Sequence, residues 1–392
     1  MSYGPSSPAP PAAVGAATAG GAVAAGPAVT SNRPGLRRVL LYGGLGTLFL
    51  LCWLVLAVVN EIDVGWQLAS LAALLAAIPL LVVIPTFLWL DRLEAEPTRY
   101  LVFAFLWGAL CAPVGALVLN TTAEILLTMN GTPDADAWAA IISAPPVEEG
   151  LKGVAVLAIV LFRRREFDGV IDGVVYAGLA GAGFAFSENV MYLSHAWQSG
   201  TEALTFVFFA RCVMAPFAHP LFSAALGIGL GLAVTVARST AARIGLGVGG
   251  YAVAVLLHGI WNASAAFNAY FTVYFAVQVP IFVGFVVLVV VLRHRESLTI
   301  RRFLSQYADA GWFSHPEVAM LATAGGRRAA RVWARSRGAA PAAAMRAFQD
   351  AASDLALLRS RMHRGVAEPQ AGARERALLE TVTTHRHTFA RL

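Results

Sequence analysis

Four short clusters set ionisable and amide side chains within otherwise apolar stretches of the sequence. Pro145-Pro146-Val147-Glu148-Glu149-Gly150-Leu151-Lys152 holds two adjacent carboxylates and the only lysine in the chain, and Phe184-Ala185-Phe186-Ser187-Glu188-Asn189 holds a third carboxylate. His219 precedes Pro220, and His258-Gly259-Ile260-Trp261-Asn262 sets an imidazole and an amide four residues apart. Together these groups form the parts list of a hydrolase. In one arrangement a carboxylate takes a proton from water while imidazole or amide N–H groups stabilise the oxyanion formed at a carbonyl. In another, Glu188, His219 and His258 bind Zn2+ with a fourth position left open, and Glu148 or Glu149 is the base. Neither needs a nucleophilic Ser or Cys, and no such pairing stands near these clusters.

Each group also has a plainer reading. Glu148 and Lys152, at i and i+4, share a helix face and could be a neutralised ion pair. Glu149 points about 100° away on the same helix, so one lysine does not readily quiet both carboxylates. Either histidine alone could be a hydrogen-bonded structural residue, and the i, i+4 spacing of His258 and Asn262 suits a packed polar network or paired site groups. Depth favours the site. Glu148 lies 15 residues from Arg163, Glu188 20 from Asp168, His219 19 from Arg238 and His258 15 from Arg243. At helical rise these counts put all four groups about 22 to 30 Å from one membrane edge, in a single layer.

The elements that must carry this layer are membrane spans. Of 392 residues 58% are hydrophobic and 13% charged, against roughly 25% charged in a soluble domain, which excludes that class. Apolar runs predict an all-α polytopic protein with eight transmembrane helices, at about 39–59, 68–90, 100–129, 139–162, 169–193, 214–237, 246–267 and 271–292. Basic residues gather in alternate loops (Arg92 and Arg99; Arg163 to Arg165; Arg238 and Arg243), while 60–67, 130–138, 194–202 and 268–270 have none. This predicts a multi-pass cell-membrane protein with both termini cytoplasmic. The stretch 203–236 is too long for one untilted span and contains Pro216 and Pro220, so it reads as an outer interfacial or re-entrant helix carrying Arg211, followed by one broken span. Asp168 and Asp172 read chiefly as caps or partners of the nearby arginines.

Flanking regions differ in composition. Residues 1–35 are a low-complexity Ala, Gly, Pro and Ser tract that reads as a disordered tail. Residues 36–293 form the membrane-embedded domain, and 294–392 a basic, partly helical cytoplasmic region. From Arg293 onward there are 17 Arg against 8 acidic residues, so the net +6 of the chain divides into +9 here and −3 before it. That surplus suits anionic lipid, and no nucleic-acid-binding motif accompanies it. Helical apolar spacing at 342–362 predicts an amphipathic helix, either a docking element or a solvated tail. Cys52, Cys111 and Cys212 sit in or beside apolar runs and make no disulfide or zinc framework.

In the order Glu148-Glu149-x-x-Lys152, Phe184-x-x-x-Glu188, His219 after Arg211 and Pro216, and His258-x-x-x-Asn262, with the acidic loop Asp91 to Pro97 ahead of them, the sequence resembles the PrsW family of intramembrane proteases. This family is related to the CAAX prenyl endopeptidases and the Abi proteins. The resemblance spans roughly residues 40–293. It implies cleavage of membrane-associated protein substrates, of which anti-sigma factors cut outside the membrane are the best-known kind. The CAAX relatives have Arg in place of Lys152 and His in place of Glu188, and a metal-free glutamate mechanism has been argued for them. The expectation is an intramembrane peptidase, a metalloprotease, with Glu148, Glu149, Lys152 and Asn262 catalytic and Glu188, His219 and His258 holding Zn2+. Its rivals are a proton-coupled transporter, whose cavities also collect carboxylates and histidines, and a non-catalytic membrane scaffold. Transporters often carry paired internal repeats, and none is visible here.

Overall fold

The computed structural model describes residues 35–91, 96–163, 167, 169–365 and 370–390. The low-complexity start, the loop residues 92–95 and 164–166, and Asp168 fall outside the described residues. Every regular element described is helical. In chain order these are α1 (Leu36–Val64), α2 (Trp66–Ala77), α3 (Leu80–Leu90), α4 (Thr98–Leu106), α5 (Ala112–Met129), α6 (Ala135–Trp138), α7 (Ala144–Phe162), α8 (Val170–Gln198) and α9 (Thr201–Phe208). They continue with α10 (Ala218–Thr235), α11 (Thr240–Ala266), α12 (Tyr270–Val273), α13 (Val279–Asp309), α14 (His315–Leu321), α15 (Ala324–Arg335), α16 (Ala339–His363) and α17 (Ala371–Ala390). Wider π-helical turns precede α5 (Trp107–Cys111), α7 (Ala139–Ser143) and α13 (Tyr274–Gln278), and one follows α9 (Phe209–Met214). The chain divides into two compact units, Thr47–Arg293 and the pair Met1–Gly46 with His294–Leu392.

Among the described residues six helical segments are long and apolar enough to cross a bilayer, and α2 with α3, bent by 41° at their junction, forms a seventh. The segment 139–162 is helical too. Its three charged residues, Glu148, Glu149 and Lys152, set it apart from the other spans, which is itself the mark of a polar site carried into the membrane. Each of the eight predicted segments is therefore largely helical. The bend at α2–α3 follows from Pro79, and Gly65, at φ +81°, lets α1 end one residue before α2 begins. The stretch 203–236 contains the expected helix carrying Arg211 and a second helix after it. It forms a single 35-residue segment, Thr201–Thr235, in which α9 runs on through its π-helical turn to Met214. The chain leaves helical geometry only at Ala215–Phe217. Pro216 supplies the reason, because it lacks an N–H and disfavours helical geometry at the residue before it.

The hub of the Thr47–Arg293 unit is α8, in whose apolar stretch 72% of the residues are buried, against 6% for α1. Its small-residue stretch explains the burial. A Cβ at Gly227 of α10 would overlap the Gly173 carbonyl of α8, and one at Gly181 would come 2.7 Å from the His219 carbonyl. Only glycine lets these helix backbones meet. Phe87, Val174, Tyr176 and Leu179 fill the core beside this crossing. The large apolar residues left exposed on α1, such as Trp53 and Leu54, are lipid-facing. At the start of α8, Asp172 accepts the Gly169 N–H at 2.7 Å as a helix cap. Nearby, Tyr176 donates to Glu96 at 2.6 Å and the Glu96 N–H donates to Asp91 at 3.0 Å. Burial pushes the Asp91 carboxyl up to about 8.

In the second unit α16 is the central helix. Met345, Phe348, Ala352 and Leu355 are all buried, and Phe348 packs on Phe313 and Phe389. The amphipathic helix predicted at 342–362 therefore exists, but its apolar face is the core of this unit and offers no docking surface. Ser314 and Glu317 form a capping box that starts α14. Arg327 is buried with its guanidinium on Ser353 and Asp350.

Candidate active site

Helix α7 brings the paired carboxylates into the interior. Pro145 and Pro146 follow closely on the π-helical turn Ala139–Ser143, and neither can donate a backbone N–H back into it. One turn later Glu148, Glu149 and Lys152 are all buried, with 7%, 0% and 1% exposure. Lys152 pairs with Glu149 at i, i+3 and 2.5 Å, rather than with Glu148 at i, i+4. Both spacings share a helix face, so contacts outside α7 decide between them. The ammonium lies over the Phe184 ring at 4.2 Å, which draws it to the Glu149 side, with His219 Nδ1 3.4 Å away.

Glu149 is fully engaged. Its Oε1 accepts from Lys152 and, at 2.9 Å, from His258 Nδ1, while its Oε2 accepts from the Ser223 hydroxyl at 2.8 Å. Because a carboxylate facing a ring nitrogen can only accept, the His258 proton sits on Nδ1 and the Nε2 lone pair faces away from Glu149. His258 is wholly buried and stacks on Phe222 at 5.3 Å.

Glu148 turns to the other side. Its Oε1 accepts from Asn120 Nδ2 at 3.1 Å, and its Oε2 has no hydrogen-bond partner. That oxygen lies 3.7 Å from His258 Nε2. His219 sits with its ring perpendicular to that of His258, centroids 5.0 Å apart, between Phe184 and Phe222. Its Nε2 is 2.6 Å from Glu188 Oε2, but off the hydrogen-bonding direction of the ring, so this nitrogen also lacks a hydrogen-bond partner. Glu148 Oε2, His219 Nε2 and His258 Nε2 are thus three buried atoms that make no hydrogen bond, and the ligand atoms of these three residues lie within 4.8 Å of one another. Tetrahedral zinc with 2.0 to 2.1 Å bonds requires donors about 3.4 Å apart, a modest contraction of this trio. Two imidazoles and one carboxylate form a donor set suited to that ion.

Of the residues singled out from sequence, Glu148, Glu149, Lys152, His219 and His258 meet in one cluster. Glu188 stands at its edge, ion-paired with Arg211. The Arg211 Nε donates to Asn189 Oδ1 at 2.7 Å, and the guanidinium covers the Tyr192 ring. Asn262 gives its amide to the Ala140 carbonyl at 2.8 Å, tying α11 to the π-helical turn ahead of α7. Asn120 and Ser223 carried no sequence signal, being ordinary polar residues on apolar helices far along the chain from Glu148 and Glu149.

Residues 96–291, half of the chain, match the family described as PrsW family intramembrane metalloprotease. Among curated proteins the chain is similar to Protease PrsW of Geobacillus kaustophilus (strain HTA426), 32% identical over 138 residues, or 35% of this chain and 55% of that protein. It is likewise similar to Protease PrsW of Clostridioides difficile (strain 630), 30% identical over 159 residues, or 39% of this chain and 62% of that one. Protease PrsW of Oceanobacillus iheyensis is 27% identical over 178 residues, covering 45% of this chain and 75% of that one. The chain therefore spans a little over half the length of the first two relatives. No solved structure is significantly similar to it.

Proposed function

The chain belongs to the PrsW family of intramembrane metalloproteases, and we propose that it is an endopeptidase that cuts membrane-associated protein substrates. The observation that carries this reading is the convergence of Glu148 Oε2, His219 Nε2 and His258 Nε2 as buried atoms that make no hydrogen bond. Burying such atoms unpaired costs about 1 to 3 kcal/mol each, a cost that a bound cation removes. In this reading the three residues would hold Zn2+, which when bound would supply Lewis-acid polarisation of a carbonyl and acidification of water.

The remaining roles follow from the hydrogen bonds. Glu149, occupied by three donors, is not free to take a proton. It is a positioning residue that fixes the His258 ring and tautomer, as outer-shell carboxylates do. Lys152 and Ser223 in turn hold Glu149, and Asn120 holds one oxygen of Glu148 so that the other faces the site. Glu188, next to His219 with its charge balanced by Arg211, is the carboxylate left to take a proton from water and pass it to the leaving amine. This exchanges the sequence-based roles of Glu148 and Glu188. Asn262, bonded to Ala140, positions the start of α7.

One contact favours a second reading. If Lys152 donates to His219 Nδ1, the ring proton lies on Nε2 beside Glu188, and Glu148 Oε2 is itself the base of a metal-free site. Elemental analysis of the purified protein beside a cleavage assay separates the two. The first expects stoichiometric metal and chelator inhibition reversed by added Zn2+; a fully active metal-free preparation establishes the second. Membrane-anchored regulators of the anti-sigma-factor kind are the substrates this reading favours.

The same reading places the site in the outer half of the bilayer. Reporters fused at Asp134 and Ser199 should face outward and one after Arg243 should face the cytoplasm, because only the last of these loops carries arginine. A cytoplasmic signal at Ser199 would overturn this topology.

A further inference from the structure

Helix α15 carries a surface that the unit around it leaves open. Its inner face is packed, with Arg327 and Ala334 buried, and Arg331 bonded to Gln349. On the outer face Arg328, Ala329, Val332 and Arg335 are exposed, with Arg337 just beyond. Val332 is 58% exposed and Trp333 40%, and the Arg337 guanidinium lies over the Trp333 ring at 4.3 Å. Among the described residues no carboxylate pairs with Arg328, Arg335 or Arg337. The sequence explains why, since no Asp or Glu occurs between Glu317 and Asp350 while six arginines do.

We propose that this face of α15 docks on the anionic lipid headgroups of the leaflet at which the chain leaves the membrane. Three observations converge on that occupant. A short apolar strip of Val332 and Trp333 flanked by arginines is the pattern of a helix lying in the interfacial plane. Trp is suited to the headgroup level, where its ring is half buried and half wet. The apolar run that ends at Leu292 continues directly into this unit, so a lipid surface is the partner in permanent supply. Each arginine near an anionic surface strengthens residence there by about fivefold. The docking stands independently of catalysis.

The test compares hydrogen exchange of the full-length protein in phosphatidylglycerol and phosphatidylcholine nanodiscs. Peptides covering 324–337 should exchange at least about fivefold more slowly in phosphatidylglycerol, with α16 peptides unchanged as the internal reference. Raising the salt should erase the difference, as screening requires. Substituting Arg328→Gln, Arg335→Gln and Arg337→Gln together should abolish it without unfolding the unit, since none of these side chains is buried. Val332→Ser should weaken it and leave the salt dependence in place. Equal exchange in both lipids, a difference that survives the triple substitution, or protection that appears only when nucleic acid or a soluble protein is added would each overturn the proposal.

Discussion

Glu148→Gln is expected to abolish metal retention and reduce peptide hydrolysis by about 10³-fold or more, since an amide oxygen is a poor substitute for a carboxylate ligand. The fold should survive. The substituted amide could still accept from Asn120 Nδ2 at the position of Oε1, and a neutral amide is less costly to keep in a membrane than a carboxylate. Stability should be compared between metal-free preparations, where the two proteins should differ by less than about 1 kcal/mol. Bound metal would otherwise add its own stabilisation to the wild type alone. Glu188→Gln is the partner experiment. It should keep the metal and lose about 10² to 10⁴ in turnover, as the loss of a proton-transfer group does. The opposite pair of results, with metal lost from Glu188→Gln and kept in Glu148→Gln, would restore the ligand set read from the sequence. Near-normal cleavage by both variants would remove this cluster from the chemistry altogether.

The sequence made the helices legible because each apolar run near span length has one solution in lipid, where every backbone polar group must bond within its own segment. It also made legible the rarity of the groups that violate the pattern. A charge inside the membrane is costly enough to be informative wherever it occurs, and so Glu148, Glu149, Lys152, His219 and His258 could be singled out before any geometry was known. Pairing was not legible. On α7 the spacings i, i+3 and i, i+4 both bring Lys152 to a carboxylate, and the choice of Glu149 rests on Phe184, His219 and His258, which lie on other helices. The same limit hid Asn120 and Ser223. Their polar side chains are tolerated on any membrane helix that can satisfy them, so nothing local marks the two that serve Glu148 and Glu149. The interruption at Ala215–Phe217 was visible as Pro216.

Lys152→Met should destabilise the protein by about 3 to 5 kcal/mol, the largest stability effect expected of any single change at the site. The cost arises at Glu149, not at Lys152. Glu149 has no exposure and would keep only the Ser223 hydroxyl and His258 as donors. A buried carboxylate deprived of its cation is strongly unfavourable, whereas a neutral pair of similar size can be nearly as stable as the ion pair. Glu149→Gln combined with Lys152→Met should therefore recover most of the lost stability, giving a coupling energy of about 2 to 3 kcal/mol in a double-mutant cycle. Unfolding in mixed micelles, followed for the wild type, both single variants and the double variant, measures that coupling directly. Activity should not recover with stability. The amide introduced by Glu149→Gln can present its N–H to His258 and no longer fixes the Nδ1 proton, so the double variant should remain impaired by about 10- to 100-fold, the usual effect of losing an outer-shell partner. A Lys152→Met protein within about 1 kcal/mol of the wild type would mean that Glu149 does not depend on the lysine for its charge, and the lysine would then lose its place as the group that holds Glu149 in position.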